Sequence, residues 1–155
     1  MTDLPKVRAT VFLAEALKLM GTPYIWGGKG LTGIDCSGAV TYAYWRAGGP
    51  DLRAMHGSAR LWEMLPEPDL AQPLRVGHLV FYGPSHRISH VMIHVACGIV
   101  VGACGGDRST TSLARAAEQK ARVDVKTTYH YRRDLRGFRM LPLIYLTQAD
   151  GEGDA

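Results

Sequence analysis

Val7, Val11, Leu13, Ala14, Leu17 and Met20 recur near helical spacing. They predict a helix from Lys6 to Met20, stopped by Gly21 and Pro23. A glycine-rich loop follows, Tyr24 to Gly33. A second helix is expected to start at Cys36, with Asp35 as its N-cap, and to end at Gly48-Gly49-Pro50. A third, short helix spans Ser58 to Leu65 and runs into a connector carrying Pro66, Pro68 and Pro73. From Gly77 the period becomes extended. Gly77 to Gly83, bounded by its glycines, Ile88 to Ala96 and Ile99 to Cys104 read as strands, the last two joined by a Cys97-Gly98 turn. Leu113 to Ala121 has helical composition behind Ser112, Val123 to Thr127 alternates, and Phe138 to Leu146 reads as a final edge strand because of Pro142. Helices first and strands afterwards indicate an α+β domain, N-terminal helices packed on a central antiparallel sheet.

The chain has 155 residues, 46% hydrophobic and 21% charged, which fits one globular domain over residues 1–147 and a flexible acidic tail over 148–155. No apolar run approaches the ~18 residues that cross a membrane, so membrane insertion is not expected, and the N-terminus lacks a signal-peptide pattern. Eighteen Lys and Arg against fourteen Asp and Glu give a formal charge of +4. The excess lies late, from Lys120 to Arg139. Such a run is usually a solvated face, and otherwise holds an anionic polymer. Zinc-finger spacing and aromatic RNA-binding motifs are missing, so nucleic acid is not an expected partner.

Three cysteines leave at least one free thiol. Cys36 stands where a glycine-rich loop enters a helix, in Asp35-Cys36-Ser37-Gly38. The partial positive charge of a helix start favours a thiolate, and its N–H groups can donate to an oxyanion. A buried cysteine acting as a small hydrophobe is the competing reading. The best candidate base is His90. Strand alternation puts Val91, Ile93 and Val95 toward the core, and His90, Met92 and His94 toward whatever covers the other face. A metal module built from His90, His94, Cys97 and Cys104 is the rival from another class. Its two histidines would lie roughly 13 Å apart along an extended strand, too far to share one ion. Cys97 and Cys104 do not face each other across a Cys97-Gly98 turn, and no disulfide is expected.

Gly21-Thr-Pro-Tyr24-Ile-Trp26-Gly27-Gly28, then Asp35-Cys36-Ser37-Gly38, Gly77-His78-Leu-Val-Phe81 and His90-Val91 together resemble the NlpC-type peptidoglycan cysteine peptidases. The resemblance runs over about residues 7 to 107. It implies a papain-like fold and no metal or organic cofactor. The partner it implies is the bacterial peptidoglycan stem peptide, cut between γ-D-glutamate and diaminopimelate. By this resemblance Cys36 is the nucleophile and His90 the general base. Tyr24 lies near the oxyanion site, and Asp35 and Ser37 hold the substrate's free amine.

Two positions depart from the family pattern. The third polar residue, commonly a His twelve residues after the catalytic one, is Gly102 here. Asp107, His86 and His94 are the alternatives, with Asp107 the candidate third member. His78 replaces the family's Asp and is expected to be exposed. Gly102 also raises the reading of a catalytically impaired peptidoglycan-binding domain, and the same fold leaves open an amidase cutting the sugar–peptide bond. The lack of a leader or wall-targeting segment suggests a phage or prophage enzyme, released by lysis or carried in a particle, or a trimmed secreted one. In each case it would act on the cell wall, in the periplasm or outside the cell.

Overall fold

The computed structural model describes residues 7–145. The acidic tail over 148–155 lies outside the described residues. In chain order the elements are β1 (Val7–Arg8), α1 (Ala9–Leu17), β2 (Lys29–Gly30), β3 (Gly33–Ile34), α2 (Cys36–Arg46) and α3 (Ser58–Met64). Then come β4 (Leu79–Tyr82), β5 (His90–Ala96), β6 (Ile99–Cys104), α4 (Leu113–Gln119), β7 (Arg122–Lys126), β8 (Leu135–Arg139) and β9 (Leu143–Ile144). Two 3₁₀ turns, Arg53–Met55 and Tyr129–Tyr131, complete the described chain. The α+β expectation holds.

Five strands form one antiparallel sheet in the order β7-β6-β5-β4-β8. On one face Leu79, Phe81, Val91, Ile93 and Val101 meet Phe12 of α1 and Ala39, Val40, Ala43 and Tyr44 of α2 in the main core. Phe12 packs edge-on against Tyr44 with ring centroids 6.1 Å apart, tying the two helices together. On the other face Val80, Tyr82, Met92, Val100 and Cys104 are covered by Tyr129, Tyr131, Leu135 and Phe138. Both sheet faces are therefore dry at its centre, which is why β4 reads as an unbroken apolar run. His90, Met92 and His94 do share the second face, as alternation predicts, and all three are buried, the first two under the late segment and His94 against Arg75 and Gly98.

Three expectations change. The first helix begins at Ala9, because Val7–Arg8 are extended and pair in parallel with Leu143–Ile144. The final strand is split: Leu135–Arg139 adds to β4, and the chain leaves the sheet at Met140, whose N–H donates to Pro66 O, before β9. His78 is buried rather than exposed; its Nδ1 accepts the Arg75 N–H at 3.1 Å, and its ring meets Tyr145 edge-on. The basic run lies largely at the surface, as a solvated face does, and several of its charges are met locally. Arg132 pairs with Asp134, Arg122 with Asp124, and Arg139 lies 3.4 Å over the Trp62 ring and donates to Trp62 O.

Helix α2 enters the core so closely that a Cβ on Gly38 would collide with the Gly28 carbonyl oxygen. Gly38→Ala should therefore force the glycine loop off the helix start. Urea unfolding is expected to show a loss of about 2 kcal/mol; wild-type stability in this variant would mean that the loop yields freely.

Candidate active site

Asp35 caps α2 from an extended backbone conformation. Its Oδ1 accepts from Gly38 N (2.8 Å), Ser37 Oγ (3.2 Å) and His56 Nε2 (2.6 Å), and its Oδ2 from Gly27 N (3.0 Å). One side chain thus joins the glycine loop, the helix start and the segment after the Arg53–Met55 turn. His56 had no motif to mark it in the sequence. Asp35 and Ser37 are both buried and line the site, but the hydrogen bonds they make are internal.

Cys36 follows the cap as the first residue of α2 and is 6% exposed. A thiolate there would be favoured by the backbone N–H groups of Val91, Ser37 and Cys36 itself. Burial outweighs them. It pushes the thiol up, with the Asp35 carboxylate adding to the rise, to about 12. The expectation of a lowered thiol pKa at the helix start is thus overturned, because water is excluded from the sulfur.

His90 opens β5 and is also 6% exposed. Burial, helped by the Arg132 charge, lowers its pKa to about 3; Asp134 acts the other way. Its ring lies beside Tyr82, 5.4 Å between centroids. Nε2 is 2.7 Å from the Tyr131 hydroxyl. Among the described residues Nδ1 has no hydrogen-bond partner, and no hydrogen bond links His90 to the Cys36 thiol. Thiol and imidazole are both neutral at rest.

Tyr24 is held by its N–H on Ala121 O and by a bridge to Ile34. Burial first, with the Asp35 and Asp107 carboxylates adding to the rise, keeps its phenol protonated and available as a donor; a thiolate forming at Cys36 would act in the same direction. Two adjoining cavities share Tyr24, Trp26, Gly57, Ser58 and Ser89. One, of about 270 Å³, reaches Cys36, Asp35, Ser37 and His56. The other, of about 440 Å³, reaches His90, Asp107, Arg87, Arg108 and Arg132. Together they form a groove with Cys36 and His90 in neighbouring parts. A larger cavity, about 540 Å³, surrounds Arg75, His78 and Tyr145 and contains none of these groups.

Asp107 lines the His90 side of the groove, but its carboxylate accepts from Ser109 N and Oγ and from Gln119 Nε2. It makes no hydrogen bond to His90; Tyr131, forty-one residues after His90, stands there instead. The only sequence signal was indirect, the lack of a side chain at Gly102. His94 is a structural latch: Nδ1–H donates to Arg75 O (2.9 Å) and Nε2 accepts from Gly98 N (3.0 Å). All three cysteines are free, Cys97 exposed and Cys104 buried. Among the described residues no three His, Cys, Asp or Glu converge to hold a metal, so His90, His94, Cys97 and Cys104 do not make the zinc site weighed above.

The lowered His90 pKa sets a pH signature. An unfolded imidazole takes up its proton near its ordinary 6.5, the native one only near 3. This contribution to stability is complete above 6.5 and is lost as pH falls toward 3, at about 1.4 kcal/mol per unit. Between pH 7 and 5 the wild type should lose about 2 kcal/mol more than His90→Asn in urea unfolding. Equal losses would show that His90 takes up its proton normally in the native state.

Comparison with known proteins matches residues 21–129, more than half of the chain, to the NlpC/P60 family. Protein P54 of Enterococcus faecium is 34% identical over 97 residues, 59% of this chain and 17% of its own length. The probable endopeptidase p60 of Listeria monocytogenes is 37% identical over 91 residues, 59% of this chain and 18% of its own. The bifunctional muramidase/DL-endopeptidase CwlT of Bacillus subtilis is 36% identical over 90 residues, 56% of this chain and 26% of its own. The chain therefore spans only about a fifth of these relatives. Among solved structures, the NlpC/p60 domain of the peptidoglycan hydrolase SagA superposes with a TM-score of 0.66 at 24% identity, covering 87% of this chain and all of that one. RipD of Mycobacterium tuberculosis, described as a non-catalytic NlpC/p60 domain protein adapted to peptidoglycan binding, gives 0.63 at 22%, covering 87% and 97%. With the glycine loop, the capped Cys36 and the His90 strand all inside the matched span, the chain belongs to the NlpC/P60 family.

Proposed function

We propose that this domain is a cysteine peptidase that hydrolyses the γ-D-glutamyl–diaminopimelate bond in the stem peptide of bacterial peptidoglycan. The observation that carries this reading is the groove that reaches both Cys36 and His90, with the Tyr24 phenol common to its two parts. The arginines at the His90 end, Arg87, Arg108 and Arg132, suit a stem peptide rich in carboxylates, and Asp35 at the other end suits its free amine. The place of action follows from the substrate: the cell wall, reached by secretion or by delivery in phage lysis or wall penetration. Among the described residues no helix is long and apolar enough to cross a membrane.

Because both groups rest neutral, attack and proton transfer are coupled. The Cys36 sulfur adds to the amide carbonyl as its proton passes to His90 Nδ1. The oxyanion takes hydrogen bonds from the Cys36 N–H and the Tyr24 hydroxyl. The imidazolium then gives its proton to the leaving amine. Water, deprotonated by His90, adds to the thioester carbonyl; the C–S bond breaks, the proton returns from His90 to the departing Cys36 sulfur, and the acid is freed. The groove holds the nucleophile at the helix start, so the N–H donors face the developing charge without reorganising.

A second reading, a peptidoglycan-binding domain without turnover, is favoured by Gly102 standing where the third polar residue is expected. Digestion of purified peptidoglycan separates the two. Wild type should release fragments cut between γ-D-glutamate and diaminopimelate, identified by mass spectrometry. Cys36→Ala should release none, and Tyr24→Phe should be slower by about 100-fold in kcat. Wall binding by the wild type with no Cys36-dependent fragment would favour the second reading.

A further inference from the structure

We infer that Tyr131 is the positioning residue of His90: its hydroxyl oxygen accepts the Nε2–H, which turns the unprotonated Nδ1 to the groove as the base. The inference rests on the reading of His90 as the base for Cys36. The Tyr131 hydroxyl stands 2.7 Å from Nε2 and is the one hydrogen-bond partner of that ring among the described residues. The usual supplier on β6 is absent, because Gly102 has no side chain, and the Met92 side chain fills the space beside it, its Sδ 2.7 Å from where a Cβ would stand.

Tyr131 is itself held in place. The Tyr129–Tyr131 turn is capped by Thr128, whose Oγ1 accepts the His130 N–H and whose carbonyl accepts the Tyr131 N–H. The Tyr82 hydroxyl donates to Tyr129 O at 2.7 Å, and the Tyr82 ring packs edge-on against Tyr131 at 5.5 Å. The next residue, Arg132, is locked to Asp134 through two hydrogen bonds, 2.8 and 2.6 Å. Burial keeps the phenol protonated, so Tyr131 is a neutral partner. It supplies a lone pair and a direction without a negative charge. This lone pair matters most when the imidazolium forms, because the buried Nε2–H must then have an acceptor.

The tautomer can be read without substrate. In protein labelled with ¹⁵N-histidine at pH 7, with His90→Asn used to assign the signal, His90 should appear as the single Nε2–H tautomer. Tyr131→Phe, which keeps the ring and its packing, should turn that signal into a mixture. It should also lower kcat on peptidoglycan by about 10- to 100-fold with KM unchanged. A wild-type His90 protonated at Nδ1, which needs no variant to detect, would overturn the inference. So would a Tyr131→Phe protein with unchanged tautomer and kcat. If wild type turns over no peptidoglycan but its tautomer depends on Tyr131, the positioning stands and the peptidase reading alone fails.

Discussion

The carboxylate of Asp35 is the interaction on which the site depends. It accepts from Gly27, Ser37, Gly38 and His56, groups that arrive from three separate stretches of chain. A carboxylate at 6% exposure would be costly if unpaired, and four donors offset that cost. Removing it would strand several buried donors at about 1–3 kcal/mol each. This explains why an acidic cap stands directly before Cys36. The bond that starts the helix also sets the position of the sulfur and the floor of the groove.

Two opposing effects meet at that sulfur, and their sizes decide its state. A helix terminus favours an anion by up to ~2 kcal/mol in partly buried settings. Excluding water costs an ion several kcal/mol. The thiol's rise from 9.0 to about 12 corresponds to a net preference of about 4 kcal/mol for the neutral form. His90 is driven to neutrality by the same exclusion, since the sheet's second face is roofed by Tyr129, Tyr131 and Phe138. Burial on both faces of β5 therefore makes the proposed pair a coupled acid and base rather than a standing ion pair.

What was legible in the sequence was local. The Asp35 cap, the Ser112 cap on α4 and the Cys97-Gly98 turn all follow from neighbours within four residues, and all are present. The turn even takes positive φ at both positions, 50° and 85°. The NlpC-type motifs were compact enough to point to the family and to Cys36, His90 and Tyr24. What stayed hidden depends on how distant segments meet. The group at His90 Nε2 comes from a turn that crosses the sheet, so no spacing rule reaches it; Asp107 follows only from a Gly-Gly-Asp run that can fold back over the hairpin. His78 looked exposed because a strand start usually is; here the connector after α3 folds over it and Arg75 meets its ring. The last strand divides because its residues serve two partners, β4 and β1, and only the closed fold reveals the second.

The unequal exposure of the cysteines bears on how the protein meets oxidants and alkylating reagents. Only a thiolate reacts readily with them. With its pKa pushed up to about 12 by burial, the Cys36 thiol stays protonated at pH 7 and is shielded besides. Cys97 stands in the open hairpin turn. A thiol reagent will therefore count Cys97 first, and activity surviving such treatment reports on the shielding of Cys36, not on its dispensability.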